Sequence, residues 1–84
     1  VVMSIKVGDK FKLDMNAPVS LWVADCLMDT TEGTVYTVER VLEVGDETQG
    51  DYVDEPGIEF RDDIGDLVSI RLEESPILWE QNNG

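Results

Sequence analysis

The stretch "IEFRDDIGDLVSIRL", residues 58–72, decides the fold. Ile58 and Phe60 alternate with polar residues, "DDIGD" supplies a turn, and Val68, Ile70 and Leu72 alternate back. A period of two on both sides of a turn is the pattern of a β-hairpin that buries one face. Helical periodicity is nearly absent elsewhere, so the hairpin sets the class as all-β.

Upstream, "TVYTVERVLEV" (34–44) is rich in β-branched residues and reads as the clearest single strand. Tyr36, Val38, Arg40, Leu42 and Val44 fall on one side, Val35 and Val41 on the other. That pattern predicts either a bulge near Glu39-Arg40 or partial burial of both faces. "IKVGDKFKLD" (5–14) reads as a first strand with a bend at Gly8-Asp9, and Pro18 in "MNAPVS" marks a loop. "SLWVADCLMD" (20–29) fits a buried strand or one turn of buried helix; its length favours the strand. "DTTEGT" is a turn in which Gly33 suits a positive φ. Gly45 to Gly57 holds three glycines, a proline and five acids, and reads as a long exposed acidic loop. After the hairpin, "EESP" turns and "ILWEQ" forms a last short strand.

With 84 residues the chain has room for one domain, since cores are partitioned at about 100–200 residues. A hydrophobic fraction of 42%, with two each of Trp, Tyr and Phe, is enough for a compact core. Five strands then predict a small closed or semi-closed barrel over residues 4–80, because closure removes sheet edges. Residues 1–3 read as an added start ahead of Ser4, and 81–84 as a frayed C-terminus.

"KVGDKFKL", "GTVYTVERV", "IEFRDDIGDLVSIRL" and "ESPILWE", in this order, resemble the small SH3-like barrel proteins of bacteriophage and bacterial genomes. In that group a "VGD" motif opens the first strand, a G-x-x-Y-x-V strand forms the middle, and a D-x-x-G-D hairpin precedes a short helical turn. The resemblance runs from Ile5 to Trp79. It implies a five-stranded SH3-like barrel and a phage or bacterial source, and it brings no catalytic residues. The acidic insert at Asp46–Glu55 departs from the shorter loops of the group.

Nineteen acids against six bases give a formal net charge of −13. Nucleic acid is a polyanion, and Lys6, Lys10, Lys12, Arg40, Arg61 and Arg71 are scattered, which argues against direct DNA or RNA binding and against anionic membranes. No apolar run approaches the roughly 18 residues of a membrane span, and no signal sequence is visible, so a reducing cytoplasm is the expected compartment. The lone Cys26, inside an apolar run, reads as a buried, inert thiol.

Catalysis fares poorly. The chain has no histidine, so neither a Ser-His-Asp nor a Cys-His arrangement can be assembled. The carboxylates in "DDIGD" and "DYVDEPGIE" suit calcium in type, but not in the Asp-x-Asp-x-Asp-Gly spacing of a calcium loop. No metal and no cofactor are therefore expected, and the protein reads as non-enzymatic.

What stands out is residues 45–66, with nine carboxylates against Arg61 alone. One account is solubility and protection of sheet edges. The other is a face for a basic host or phage protein, built from Asp46, Glu47, Asp51, Asp54, Glu55, Glu59, Asp62, Asp63 and Asp66, with Tyr52 as apolar anchor. Duplex DNA carries one charge per about 1.7 Å, so such a face could act as a DNA mimic and inhibit its partner. Glu39, Glu43 and Glu59 are expected to point outward if Val38, Leu42 and Phe60 point inward. Tyr52 either anchors a partner or folds back over the barrel mouth. Trp22 and Trp79 read as core rather than as platforms for a proline-rich peptide. The alternative function is a structural module forming a homo-oligomer or virion assembly.

Overall fold

The computed structural model describes residues 5–80; the expectations for residues 1–3 and 81–84 lie outside the described residues. In chain order the elements are β1 (Lys10–Leu13), α1 (Leu21–Cys26), β2 (Tyr36–Thr37), β3 (Arg40–Leu42), β4 (Glu47–Thr48), β5 (Asp51–Tyr52), β6 (Gly57–Arg61), β7 (Leu67–Arg71) and β8 (Ile77–Trp79). The protein is mainly β, as the alternation requires. The strands form three antiparallel sheets, ordered β2-β1-β8, β3-β6-β7 and β4-β5. Eight short strands replace the five expected, and among the described residues no ladder closes them into a barrel.

The decisive hairpin is present: β6 and β7 pair from Gly57↔Arg71 to Arg61↔Leu67. Its turn is held by the Asp62 carboxylate, which accepts from the N–H groups of Ile64 (3.1 Å) and Asp66 (2.9 Å). Gly65 takes φ 85°, a conformation that a Cβ would strain.

The single strand expected over 34–44 is instead two, belonging to different sheets. Val38 still serves β1, accepting from Gly8 N–H and donating to Asp9 O, both at 2.9 Å. The next residue, Glu39, donates to Glu59 O at 2.9 Å. The crossing thus falls at Val38–Glu39, where a bulge was expected near Glu39-Arg40. It lets both sheets wrap one core of Phe11, Leu13, Val23, Tyr36, Val38, Ile58, Phe60, Val68 and Ile70. Phe11 sits at its centre, edge-to-face with Phe60 at 5.0 Å and within 5.9 Å of Tyr36 and 5.3 Å of Trp79. Each such aromatic pair contributes about 0.5–1.5 kcal/mol beyond its buried area.

Residues 21–26 are helical, which corrects the strand favoured for "SLWVADCLMD". The Ser20 hydroxyl accepts from Val23 N–H at 3.2 Å and caps the first turn. Val23 and Leu27, four apart, are the buried pair, a helical spacing and not an alternating one. The acidic loop is also partly ordered: β4 and β5 form a hairpin with Glu47↔Tyr52 and Thr48↔Asp51. Its two-residue tip, Gln49-Gly50, has φ of 52° and 82°, the double positive φ of a turn matched to strand twist.

Candidate functional site

The β4–β5 hairpin folds over the outer face of the β3-β6-β7 sheet. Thr48 Oγ1 donates a short hydrogen bond to Glu59 and lies 3.4 Å from Ser69 Oγ. Gln49 Nε2 donates to Leu67 O at 3.1 Å. Glu59 is consequently buried, at 8% exposure, which corrects the expectation that it points outward. It does point away from Ile58 and Phe60, but the hairpin covers it there.

On the other side of β7 stands α1, with Val23 and Leu27 in the core beside Val68 and Ile70. Between helix and hairpin runs a groove of about 660 Å³. Trp22 and Cys26, one helical turn apart, line one wall; Thr48, Gln49, Asp51, Tyr52, Val53, Asp54 and Glu55 line the other; β7 and Gly57 lie along its floor. Trp22 is 61% exposed and Tyr52 72%, so neither packs as core. Trp22 thereby departs from the core placement expected of it, and Tyr52 does not fold back. Trp79 packs partly buried against Phe11.

The groove's charge is negative. Asp51, Asp54 and Glu55 are exposed carboxylates on its wall, and the nearby cation Arg71 pairs with Glu55 at 3.3 Å. Burial, and then the adjacent Asp25 charge, pushes the Cys26 thiol up from its ordinary pKa, which suppresses the nucleophilic thiolate. Among the described residues no three His, Cys, Asp or Glu side chains are grouped to hold a metal ion. No helix of the described residues is long and apolar enough to cross a membrane.

The ten expected site residues do not form one continuous face. Asp51, Tyr52, Asp54 and Glu55 line the groove. Asp46 accepts from Glu43 N–H at 2.8 Å and holds the turn before β4, while Glu47 is exposed and its carbonyl accepts from Arg40. Asp62, Asp63 and Asp66 lie at the far end of the β6–β7 hairpin from Gly57. Asp66 is exposed there, whereas Asp62 caps its own turn.

Asp63 is an internal latch. It accepts from Thr31 Oγ1 (2.6 Å) and from the Tyr36 hydroxyl (2.7 Å), and its N–H donates to Asp29 O (3.0 Å). Those side-chain bonds, Thr31 first and then Tyr36, hold the Asp63 carboxyl below the usual carboxylate range. Burial, then the bond to Asp63, pushes the Tyr36 phenol up.

Sequence reasoning missed Trp22, Cys26, Gln49 and the β7 residues Leu67, Ser69 and Arg71. The signal for the first pair was present in the Ser20 cap and the Val23/Leu27 spacing. Comparison with protein-family models, curated proteins and solved structures gave no match.

Proposed function

We propose that the protein is a non-enzymatic interaction module that docks a basic protein through the groove between α1 and the β4–β5 hairpin. The carrying observation is that two solvent-exposed aromatics from separate elements, Trp22 and Tyr52, line one groove with an acidic wall. Exposed aromatics supply anchoring area, and the carboxylates supply steering and selectivity. Asp66 and Glu47 add long-range attraction from outside the groove. In this reading the two three-stranded sheets are an SH3-like barrel left open, of phage or bacterial kind, acting in the host cytoplasm. The partner's own nucleic-acid site is one target, with the acidic groove taking the place of DNA.

The test is capture from lysate at low and at high ionic strength, with mass spectrometry. Three proteins are compared: wild type, a D51N/D54N/E55Q variant and a W22A/Y52A variant. Basic proteins should be captured by the wild type, released by salt, and lost in both variants without a drop in melting temperature. Capture that ignores both variants overturns the reading.

A second reading, a homo-oligomeric structural module, draws on α1 outside the groove. Leu21, at the start of α1, and Met28, in the turn just after it, are 91% and 70% exposed. Sedimentation that depends on protein concentration, and is abolished by Leu21→Ser with Met28→Ser, would favour it over the first.

A further inference from the structure

Strand β7 is the open edge of the β3-β6-β7 sheet, and this edge runs along the groove. Which of its backbone groups face outward follows from the ladder. Asp62 N–H donates to Asp66 O at 2.9 Å, and Leu72 N–H donates to Pro56 O at 3.1 Å, at the two ends of one antiparallel register. Hydrogen-bonded pairs alternate in such a ladder, so Val68 and Ile70 bond to β6. Leu67, Ser69 and Arg71 therefore direct their N–H and C=O groups away from β6.

Two of those groups already have partners. Leu67 O accepts from the Gln49 side chain, and Arg71 O accepts from Glu74 N–H at 3.3 Å. Among the described residues no hydrogen bond reaches the N–H or C=O of Ser69, midway along the edge.

We infer that the partner binds by adding a strand to β7: an extended, cationic segment that pairs with Ser69 and its outward neighbours while its alternate side chains meet Trp22 on one side and Tyr52 on the other. The inference rests on the acidic-groove reading of function and adds the mode of binding to it. An edge strand walled on both faces is a slot for one further strand, in which main-chain bonds give affinity and alternating pockets give selectivity. Charge selects the occupant. Asp51, Asp54 and Glu55 oppose Arg71 alone, so the slot attracts lysine and arginine. A second copy of this chain would bring another formal charge of −13 to the same edge, which opposes self-pairing. The Gln49 carboxamide acts as a removable cover, holding Leu67 O until an incoming strand replaces it.

The probe is an acetylated, amidated octapeptide of alternating lysine and valine, titrated at low salt into the isotope-labelled full chain. Two analogues carry N-methyl groups, one on every valine and one on every lysine; both keep all charges and side chains. The Ser69 amide should shift downfield and gain hydrogen-exchange protection on adding the parent peptide. At least one analogue should bind about tenfold more weakly, the loss expected for two hydrogen bonds. If both analogues bind like the parent and Ser69 is unmoved, strand addition is overturned and charge docking stands. If the parent fails to saturate the protein below about 1 mM, both readings fall. Ser69 protection that grows with protein concentration in the absence of peptide overturns the inference in favour of edge-to-edge pairing of two copies.

Discussion

Gly57 sits where the β7 backbone leaves no room for a Cβ on β6, and Gly57→Ala tests that approach directly. A methyl group on its Cα would lie 2.5 Å from Ile70 O, 3.3 Å from the Ile70 carbonyl carbon and 3.5 Å from the Arg71 Cα. Ordinary contact needs about 3.5 Å, so one strand must retreat by about 1 Å. The obstacle is backbone in a hydrogen-bonded ladder, not the end of a flexible side chain, and φ at Gly57 is not in the left-handed region. The cost therefore belongs at the upper end of the overpacking range, about 3 kcal/mol. A chain of this length holds roughly 4–13 kcal/mol in total, so the loss is a large fraction. At about 4–8 °C per kcal/mol it lowers the melting temperature by roughly 12–24 °C.

Gly65→Ala is the comparator. Nothing lies within 4 Å of its added methyl, but φ is +85°, so only backbone strain of about 1 kcal/mol applies. Thermal unfolding followed by circular dichroism ranks the two variants. If Gly57→Ala melts within a few degrees of wild type, or above Gly65→Ala, the β6–β7 register is wrong. The outward direction of Ser69 would then fall with it.

Two further outcomes follow from side-chain hydrogen bonds. Thr48→Val keeps shape and β propensity but removes the hydroxyl that donates to the buried Glu59. Urea unfolding should show a loss of about 1–3 kcal/mol, and no loss would mean that the β4–β5 hairpin does not pack there. The lowered Asp63 pKa adds stability that is complete above the ordinary carboxylate value and is lost as pH falls through the lower folded value. Melting curves of wild type and Asp63→Asn should differ by a constant amount at neutral pH and converge in acid; parallel curves throughout would refute the latch.

The hairpin at 58–72 was legible because both of its strands alternate around one turn, a signal that local chemistry alone can write. Residues 20–27 misled because an apolar run of that length fits either element. The deciding features, the Ser20 hydroxyl and the fourfold spacing of Val23 and Leu27, are short-range and were outweighed by run length. Alternation correctly separated Glu59 from Ile58 and Phe60. It could not reveal that a second hairpin would cover that outer face, since the cover depends on Gln49-Gly50 adopting paired positive φ without the usual Asn-Gly signal. The groove was hidden for the same reason. Its walls come from segments about thirty residues apart, and only tertiary placement brings Trp22 and Tyr52 to one cleft.

Strand β1 pairs on one side with β2 and on the other with β8, so Phe11 faces Trp79 across a ladder joining residues near opposite ends of the described chain. During synthesis β1 leaves the ribosome well before β8, one of its two neighbours, has been made. The nascent chain must keep Phe11 and Leu13 unsheltered on that flank until Ile77–Trp79 arrives. Its dense carboxylates then have a task before any partner is met: mutual repulsion between unfinished chains.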